Sequence, residues 1–294
     1  MRCLKLILIS ALIAGGVDAQ SRAFRESIPL FGGTATVITY APTRADAAPL
    51  IEQALAEMKG VETRMTESGL FDHPLPFVTS PDPEMARLIN RALGWARTTG
   101  GAFDPTRVAA DHTSRAAGSA PADWRDLDFD LMTQELTARS DSIRLDSRVI
   151  GPAFALDAAT AALDPSSPVL LSHSLGLYRA MAPPPGQAGW RVNISDPTES
   201  GDLDASVVLA DAAYAVWSLA DTGSAPPRNP EGPLQACVIA AELVDAGLLS
   251  RALAILGPER AETLLASQPG VQARMVFSAA VPQVLTVRWP GAGP

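Results

Sequence analysis

The chain has 294 residues, enough to bury one large core or two close-packed lobes. Its 32 acidic and 23 basic residues give a formal net charge of −9, which argues against a nucleic-acid partner. Of its two cysteines, only Cys237 follows the predicted leader segment described next, so no intramolecular disulfide is expected.

The N-terminus predicts a secretory signal peptide over residues 1–19. A short basic start with Arg2 and Lys5 precedes an apolar run that is too short to span a bilayer, and Val17 and Ala19 supply the small residues of a cleavage site. Cleavage would leave residues 20–294 as one domain. We therefore expect an exported protein, periplasmic or extracytoplasmic, that is soluble and not an integral membrane protein. An uncleaved N-terminal anchor is the alternative.

The remaining elements mix helices and strands without a repeat or a clear boundary. Alternating or short apolar runs predict strands, and apolar stripes at helical spacing predict helices. Strands are predicted at residues 34–40, 142–145, 169–172, 190–194, 206–209, 234–240, 273–277 and 284–289. Helices are predicted at residues 49–65, from Asp82 to a stop at Gly100, at 153–163 and near 248–256. The fold class predicted is α+β, with mixed sheets and packed helices.

The loop Thr98-Thr99-Gly100-Gly101-Ala102-Phe103-Asp104-Pro105-Thr106 is the most informative segment. Its two glycines permit positive φ and close approach to a ligand, and Pro105 pushes Asp104 toward an extended conformation. The pattern predicts a carboxylate and a row of free amide N–H groups, which would suit the phosphate-bearing part of a cofactor. A simple helix-stop turn is the alternative.

This loop resembles the TGGAFDPT signature of the FAD:protein FMN transferases, the ApbE-like flavin transferases. Four other segments resemble further elements of that family in the same order: residues 32–34, 145–157, 190–197 and 252–259. The resemblance spans roughly residues 25–280. Members of this family bind FAD and Mg²⁺, split the pyrophosphate and attach FMN to a threonine or serine of a target protein, which here would also be exported.

The resemblance also implies a set of site residues. Asp104 and Asp146 match the acids of the two main motifs and are the expected catalytic residues. The expected cofactor-binding and metal-binding positions are Gly32, Thr34, Gly101, Ala102, Phe103, Asp104, Asp146, Pro152 and Arg251 for FAD, and Gly151 and Asp245 for the metal. Gly151 and Pro152 fall where the family has a turn.

Several positions depart from the family pattern. The acid and threonine that ligate the metal fall on Gly247 and Arg251, whose side chains cannot bind Mg²⁺. Asp245 is a possible substitute ligand, and Arg251 could instead pair directly with a phosphate. The family's histidine-containing element is reduced to Asn229-Pro230 without a histidine. Two hypotheses remain: a divergent but working FMN transferase, or a non-catalytic relative that binds flavin or a partner.

The predicted strand at residues 169–172, followed by Ser174, is similar to the nucleophile elbow of serine hydrolases. That fold requires its catalytic histidine after the serine, and His73, His112 and His173 all precede Ser174. This excludes the hydrolase, and the three histidines are expected in loops. Cys237 lies in an apolar run and is expected to be a buried strand thiol.

Overall fold

The computed structural model describes residues 21–106, 123–141, 143–198, 200–218, 232–278 and 283–290. The predicted signal peptide, Asn229, Pro230 and His112 lie outside these residues. Within them the chain forms five α-helices and thirteen strands, which confirms the predicted α+β class. No helix of the described residues is long and apolar enough to cross a lipid bilayer.

In chain order the elements are β1 (Arg22–Leu30), β2 (Gly33–Ala41), α1 (Arg44–Glu67), β3 (Val78–Thr79), α2 (Pro83–Thr98), β4 (Leu127–Asp130), β5 (Glu135–Ala138), α3 (Ser147–Ala162), β6 (Val169–His173), β7 (Leu177–Ala180), β8 (Trp190–Ile194), β9 (Ala205–Leu209), β10 (Ala212–Ser218), β11 (Pro233–Ala240), α4 (Leu243–Leu253), α5 (Pro258–Ala266), β12 (Gln272–Phe277) and β13 (Gln283–Val287). A single 3₁₀ turn, Trp124–Asp126, precedes β4.

An eight-stranded antiparallel sheet organises the fold, in the order β1-β2-β6-β7-β10-β11-β12-β13. Helices α1, α3 and α4 pack together on this sheet and share its main apolar core. The hairpin β8–β9 contributes Trp190 and Val192 to a second apolar cluster with Tyr214 and Cys237 of the sheet. The predicted burial of the Cys237 thiol is confirmed, and burial raises its pKa to about 11.

Asp157, on the side of α3, bonds the N-terminal end of α4. The backbone N–H groups of Leu243 and Val244, at the start of α4, donate to the two carboxylate oxygens of Asp157 at 3.0 and 2.8 Å. Glu242, at the N-cap of α4, makes no side-chain cap of its own. An acid of one helix therefore caps the next helix and satisfies N–H groups that have no partner inside α4.

Three of the helices begin earlier than the sequence pattern predicts. Helix α1 begins at Arg44 rather than residue 49, because Thr43 and Asp46 form a reciprocal capping box. Helix α3 begins at Ser147 rather than residue 153, so the turn expected at residues 151–152 lies inside the helix. Helix α4 begins at Leu243 rather than near residue 248.

The sequence reading also misplaced or missed several strands. The strand predicted at residues 142–145 is reduced to one parallel bridge between Phe71 and Leu145, and Ser142 lies outside the described residues. The pattern did not predict β1, β3, β4, β5, β7, β10 or the helix α5. Most of these pair with neighbouring strands whose positions the local pattern does not reveal.

We predict that Asp157 makes stability depend on pH. Burial raises its pKa from 3.8 to about 6, although its two backbone hydrogen bonds and Arg179 oppose that shift, while Glu242 adds to it. Because the folded pKa lies above the unfolded value, the stabilisation is full below pH 4 and is lost as the pH rises through 6.

Urea denaturation of the wild type and of Asp157→Asn at several pH values tests this. The wild type should gain up to about 3 kcal/mol relative to the variant as the pH falls from 7 to 4. A difference between the two proteins that stays constant over this range would contradict the shifted pKa.

Candidate functional site

The glycine loop that follows α2 is held by its own backbone. Gly100 and Gly101 have φ values of 61° and 83°. The N–H groups of residues 100–103 donate to the carbonyls of Ala96, Arg97 and Thr99 and to the Thr99 hydroxyl, at 2.8–3.3 Å. The expected row of free amides is therefore wrong for these four residues, because three of them donate to carbonyl groups at the end of α2 and Phe103 donates to the Thr99 hydroxyl.

Two further contacts fix the shape of this loop. A Cβ atom at Gly101 would lie 2.7 Å from the indole nitrogen of Trp124, so only glycine fits there. Asp104 is buried, and its Oδ1 accepts hydrogen bonds from the N–H and the hydroxyl of Thr106 at 2.9 and 2.7 Å. The ring of Phe103 is buried in the main core, whereas Ala102 is partly exposed.

The loop is joined to the start of α3 by one backbone hydrogen bond. The N–H of Asp146 donates to the carbonyl oxygen of Pro105 at 3.2 Å. Asp146 is the N-cap of α3, is 2% exposed, and accepts from the N–H of Arg148 at 2.9 Å. The Arg148 guanidinium also donates to both of its carboxylate oxygens, at 3.3 and 3.4 Å. Two predicted acids that are 42 positions apart in sequence thus lie in directly bonded segments.

The β1–β2 hairpin turn approaches the same helix. Phe31 and Gly32 both have positive φ, 45° and 74°, as a tight two-residue hairpin turn requires. The N–H of Phe31 donates to Oε1 of Glu62 in α1 at 2.5 Å. Its ring lies against Gly151 of α3, where a Cβ atom would be 2.5–2.9 Å from three ring carbons. The turn is therefore clamped between α1 and α3.

A cleft of about 440 Å³ opens between these elements. It is lined by Gly32 of the turn, by Ser147 and Arg148 at the start of α3, by Asp72, and by side chains of α1 that include Lys59 and Glu62. Of the predicted cofactor positions, Gly32 and Thr34 are exposed near this turn. Pro152 and Gly151 are buried inside α3 rather than at an exposed turn.

His173 bonds the residue that precedes the hairpin turn. It was expected in a loop, but it lies in β6. It is buried at the end of β6, with Nε2 bonded to the carbonyl of Leu30 at 2.9 Å and Nδ1 accepting from the N–H of Leu175 at 3.2 Å. Burial lowers its pKa, which favours the neutral ring. The next residue, Ser174, accepts from the N–H of Thr34 at 3.0 Å. Sequence reasoning missed this role, because only the long-range pairing of β2 with β6 reveals it.

Known proteins of one family share this fold. A family model described as the ApbE family matches residues 32–275, which include Gly32 of the hairpin turn, the glycine loop and helix α3. The chain belongs to the ApbE family. No curated protein matches it significantly.

Solved structures of ApbE proteins share the fold. The ApbE protein of Thermotoga maritima is 17% identical with a TM-score of 0.71, and the match covers 91% of this chain and 97% of that one. The flavin transferase ApbE of Vibrio cholerae is 14% identical with a TM-score of 0.68, covering 91% and 98%. The apo form of the flavinyl transferase ApbE of Pseudomonas stutzeri is 17% identical with a TM-score of 0.65, covering 92% and 97%.

The residues at the expected metal positions do not fit a divalent cation. Both carboxylate oxygens of Asp245 accept from the Arg91 guanidinium, at 2.7 and 2.6 Å, and one also accepts from the Trp95 indole at 2.8 Å. Gly247 has no side chain and faces Leu177 and Ala153. The described residues contain no group of three or more His, Cys, Asp or Glu side chains that could hold a metal ion. These described positions therefore do not form a site for a divalent cation.

Arg251, the last predicted cofactor position, lies in the final turn of α4 and is partly buried. Burial lowers its pKa, and an electrostatic interaction with Asp146 acts in the opposite direction. The structure therefore brings Asp104, Asp146 and Arg251 into one region, with Gly32 and Thr34 at the neighbouring turn. Asp245 is held apart by Arg91.

We predict that Gly151→Ala disturbs the site by pushing Phe31 out of place. The added methyl would overlap the ring, so the variant should lose about 1–3 kcal/mol of stability although alanine favours helix. Gly94→Ala in α2 is the matched control, because nothing lies within 4 Å of the Cβ that it adds.

The control should be slightly more stable than the wild type. Thermal or urea denaturation of the three proteins measures the effect. A Gly151→Ala variant as stable as Gly94→Ala would contradict the close packing of Phe31 on α3.

Proposed function

We propose that the protein is an exported FAD:protein FMN transferase, which moves FMN from FAD to a threonine or serine of an exported target protein. The observation that carries this proposal is the hydrogen bond between Asp146 and Pro105. It joins the loop that resembles the family's flavin signature to the helix start that resembles its second acidic motif. Membership of the ApbE family and the shared fold of two named flavin transferases add support.

The proposed reaction is a phosphoryl-type transfer. The hydroxyl oxygen of the target attacks the flavin-side phosphorus of FAD, and a phosphoester bond to FMN forms. The bond between this phosphorus and the bridging oxygen breaks, and AMP leaves with that oxygen. The hydroxyl proton passes to a base. Negative charge accumulates on the diphosphate oxygens during this step, so cationic side chains nearby favour it.

We assign the proton-accepting role to Asp104 and a positioning role to Asp146. Asp146 caps α3 and holds the Arg148 guanidinium, which lines the cleft. Asp104 lies on the loop that Gly100 and Gly101 shape. Gly32, which lines the cleft, and Thr34, which is exposed at the start of β2, are the proposed contacts of the flavin portion.

A second candidate function is a non-catalytic, flavin-binding relative. The observation that favours it is the pairing of Asp245 with Arg91 and Trp95, because it removes the substitute metal ligand from the site. Such a protein would bind FAD without transferring FMN.

Coexpression with an exported acceptor domain that carries a flavinylation threonine tests the proposal. Intact-mass analysis should show an acceptor heavier by one FMN less one water, and the change should disappear when the acceptor threonine is replaced by alanine. Asp104→Ala should abolish transfer. FAD binding without any mass change would favour the non-catalytic relative, and no FAD binding would contradict both functions.

A further inference from the structure

Helices α3 and α4 run antiparallel, with a register that two contacts define. The N–H of Leu243 meets Asp157, and one turn further along α4 the Cβ position of Gly247 lies 3.6 Å from Cβ of Ala153. Each step of four residues forward on α4 is thus four residues back on α3. One more step places Arg251 level with the first turn of α3, within reach of the N-cap residue Asp146.

The electrostatic interaction of Arg251 with Asp146 agrees with this register. In the described part of the chain, however, the Arg251 guanidinium has no hydrogen bond and no ion pair within 4 Å. Arg148, by contrast, is bonded directly to the Asp146 carboxylate. Arg251 therefore carries a full set of side-chain N–H donors, in a partly buried position, that none of the described residues engages.

Other groups that could bind a diphosphate here are already engaged. The amides of residues 100–103 donate to the end of α2, and Lys59 is paired with Glu62 at 2.5 Å. The expected metal positions hold Gly247 and the paired Asp245. A guanidinium can offer two parallel N–H groups to phosphate oxygens, which makes it a suitable cation for this purpose.

We propose that Arg251 binds the diphosphate of FAD directly and supplies the positive charge that a divalent metal would otherwise provide, so that FAD binding by this protein does not require a metal ion. This inference depends on the proposed function, because it concerns the same site and the same ligand. Asp146 orients the unpaired guanidinium across the α3–α4 contact.

Titration of flavin fluorescence with purified protein tests this inference, with FAD and riboflavin as probes. The wild type should bind FAD with the same Kd, within about twofold, in EDTA and in millimolar Mg²⁺. Arg251→Ala should weaken FAD binding at least tenfold in EDTA, and Arg251→Lys should weaken it less, since it keeps the charge. Binding of riboflavin, which lacks the diphosphate, should change little in either variant.

Arg191→Ala is the matched control, because Arg191 is an exposed arginine of the β8–β9 hairpin that bonds Ser206. It should bind FAD as the wild type does. The metal comparison uses the unmodified protein, so it stands even if Arg251→Ala fails to fold.

Two results would overturn the inference alone: FAD binding by the wild type that needs Mg²⁺, or wild-type affinity in a folded Arg251→Ala variant. Absence of FAD binding under both conditions would instead overturn the proposed function, and this inference with it.

Discussion

The site depends on the N-terminus of α3, where Asp146 makes four kinds of contact. Its N–H holds the glycine loop through Pro105, its carboxylate caps the helix, and the same carboxylate pairs with Arg148 and attracts Arg251. A 2% exposed carboxylate is unfavourable unless it is hydrogen-bonded and paired, and here both conditions are met. The glycine loop and the first turn of α3 are consequently fixed relative to each other.

Rigid packing around α3 carries this geometry to the rest of the cleft. Gly151 lets the Phe31 ring approach the helix, and Phe31 in turn aligns the hairpin turn with Glu62 of α1. Asp157, further along the same helix, caps α4 and fixes the register of the two helices. The same helix thus contacts the β1–β2 turn through Gly151 and packs against α4, which carries Arg251.

Local patterns predicted the elements whose signals are local. The N-cap residue Asp82 correctly predicted α2. Alternating or continuous apolar residues correctly predicted β2, β6, β8 and β11. The starts of α1 and α3 were predicted too late, at or just after Pro49 and Pro152, each of which is the sixth residue of its helix. The capping residues Thr43 and Asp146, which mark the true starts, were not recognised as such. The Thr43–Asp46 spacing is a capping-box signal that could have corrected the first of these.

The site was predictable only in part, for a physical reason. That Asp104 and Asp146 belong to one site was predicted only from the resemblance to the family, because no local sequence pattern links residues that are 42 positions apart. The use of the loop amides within the protein, the burial of His173 and the engagement of Asp245 by Arg91 all depend on tertiary contacts.

Crystals grown with FAD would test the central claim most directly. The diphosphate should lie between the glycine loop and the start of α3, within hydrogen-bonding distance of Arg251. A flavin bound elsewhere would contradict it, for example one in the groove of about 660 Å³ between the end of α2 and α5.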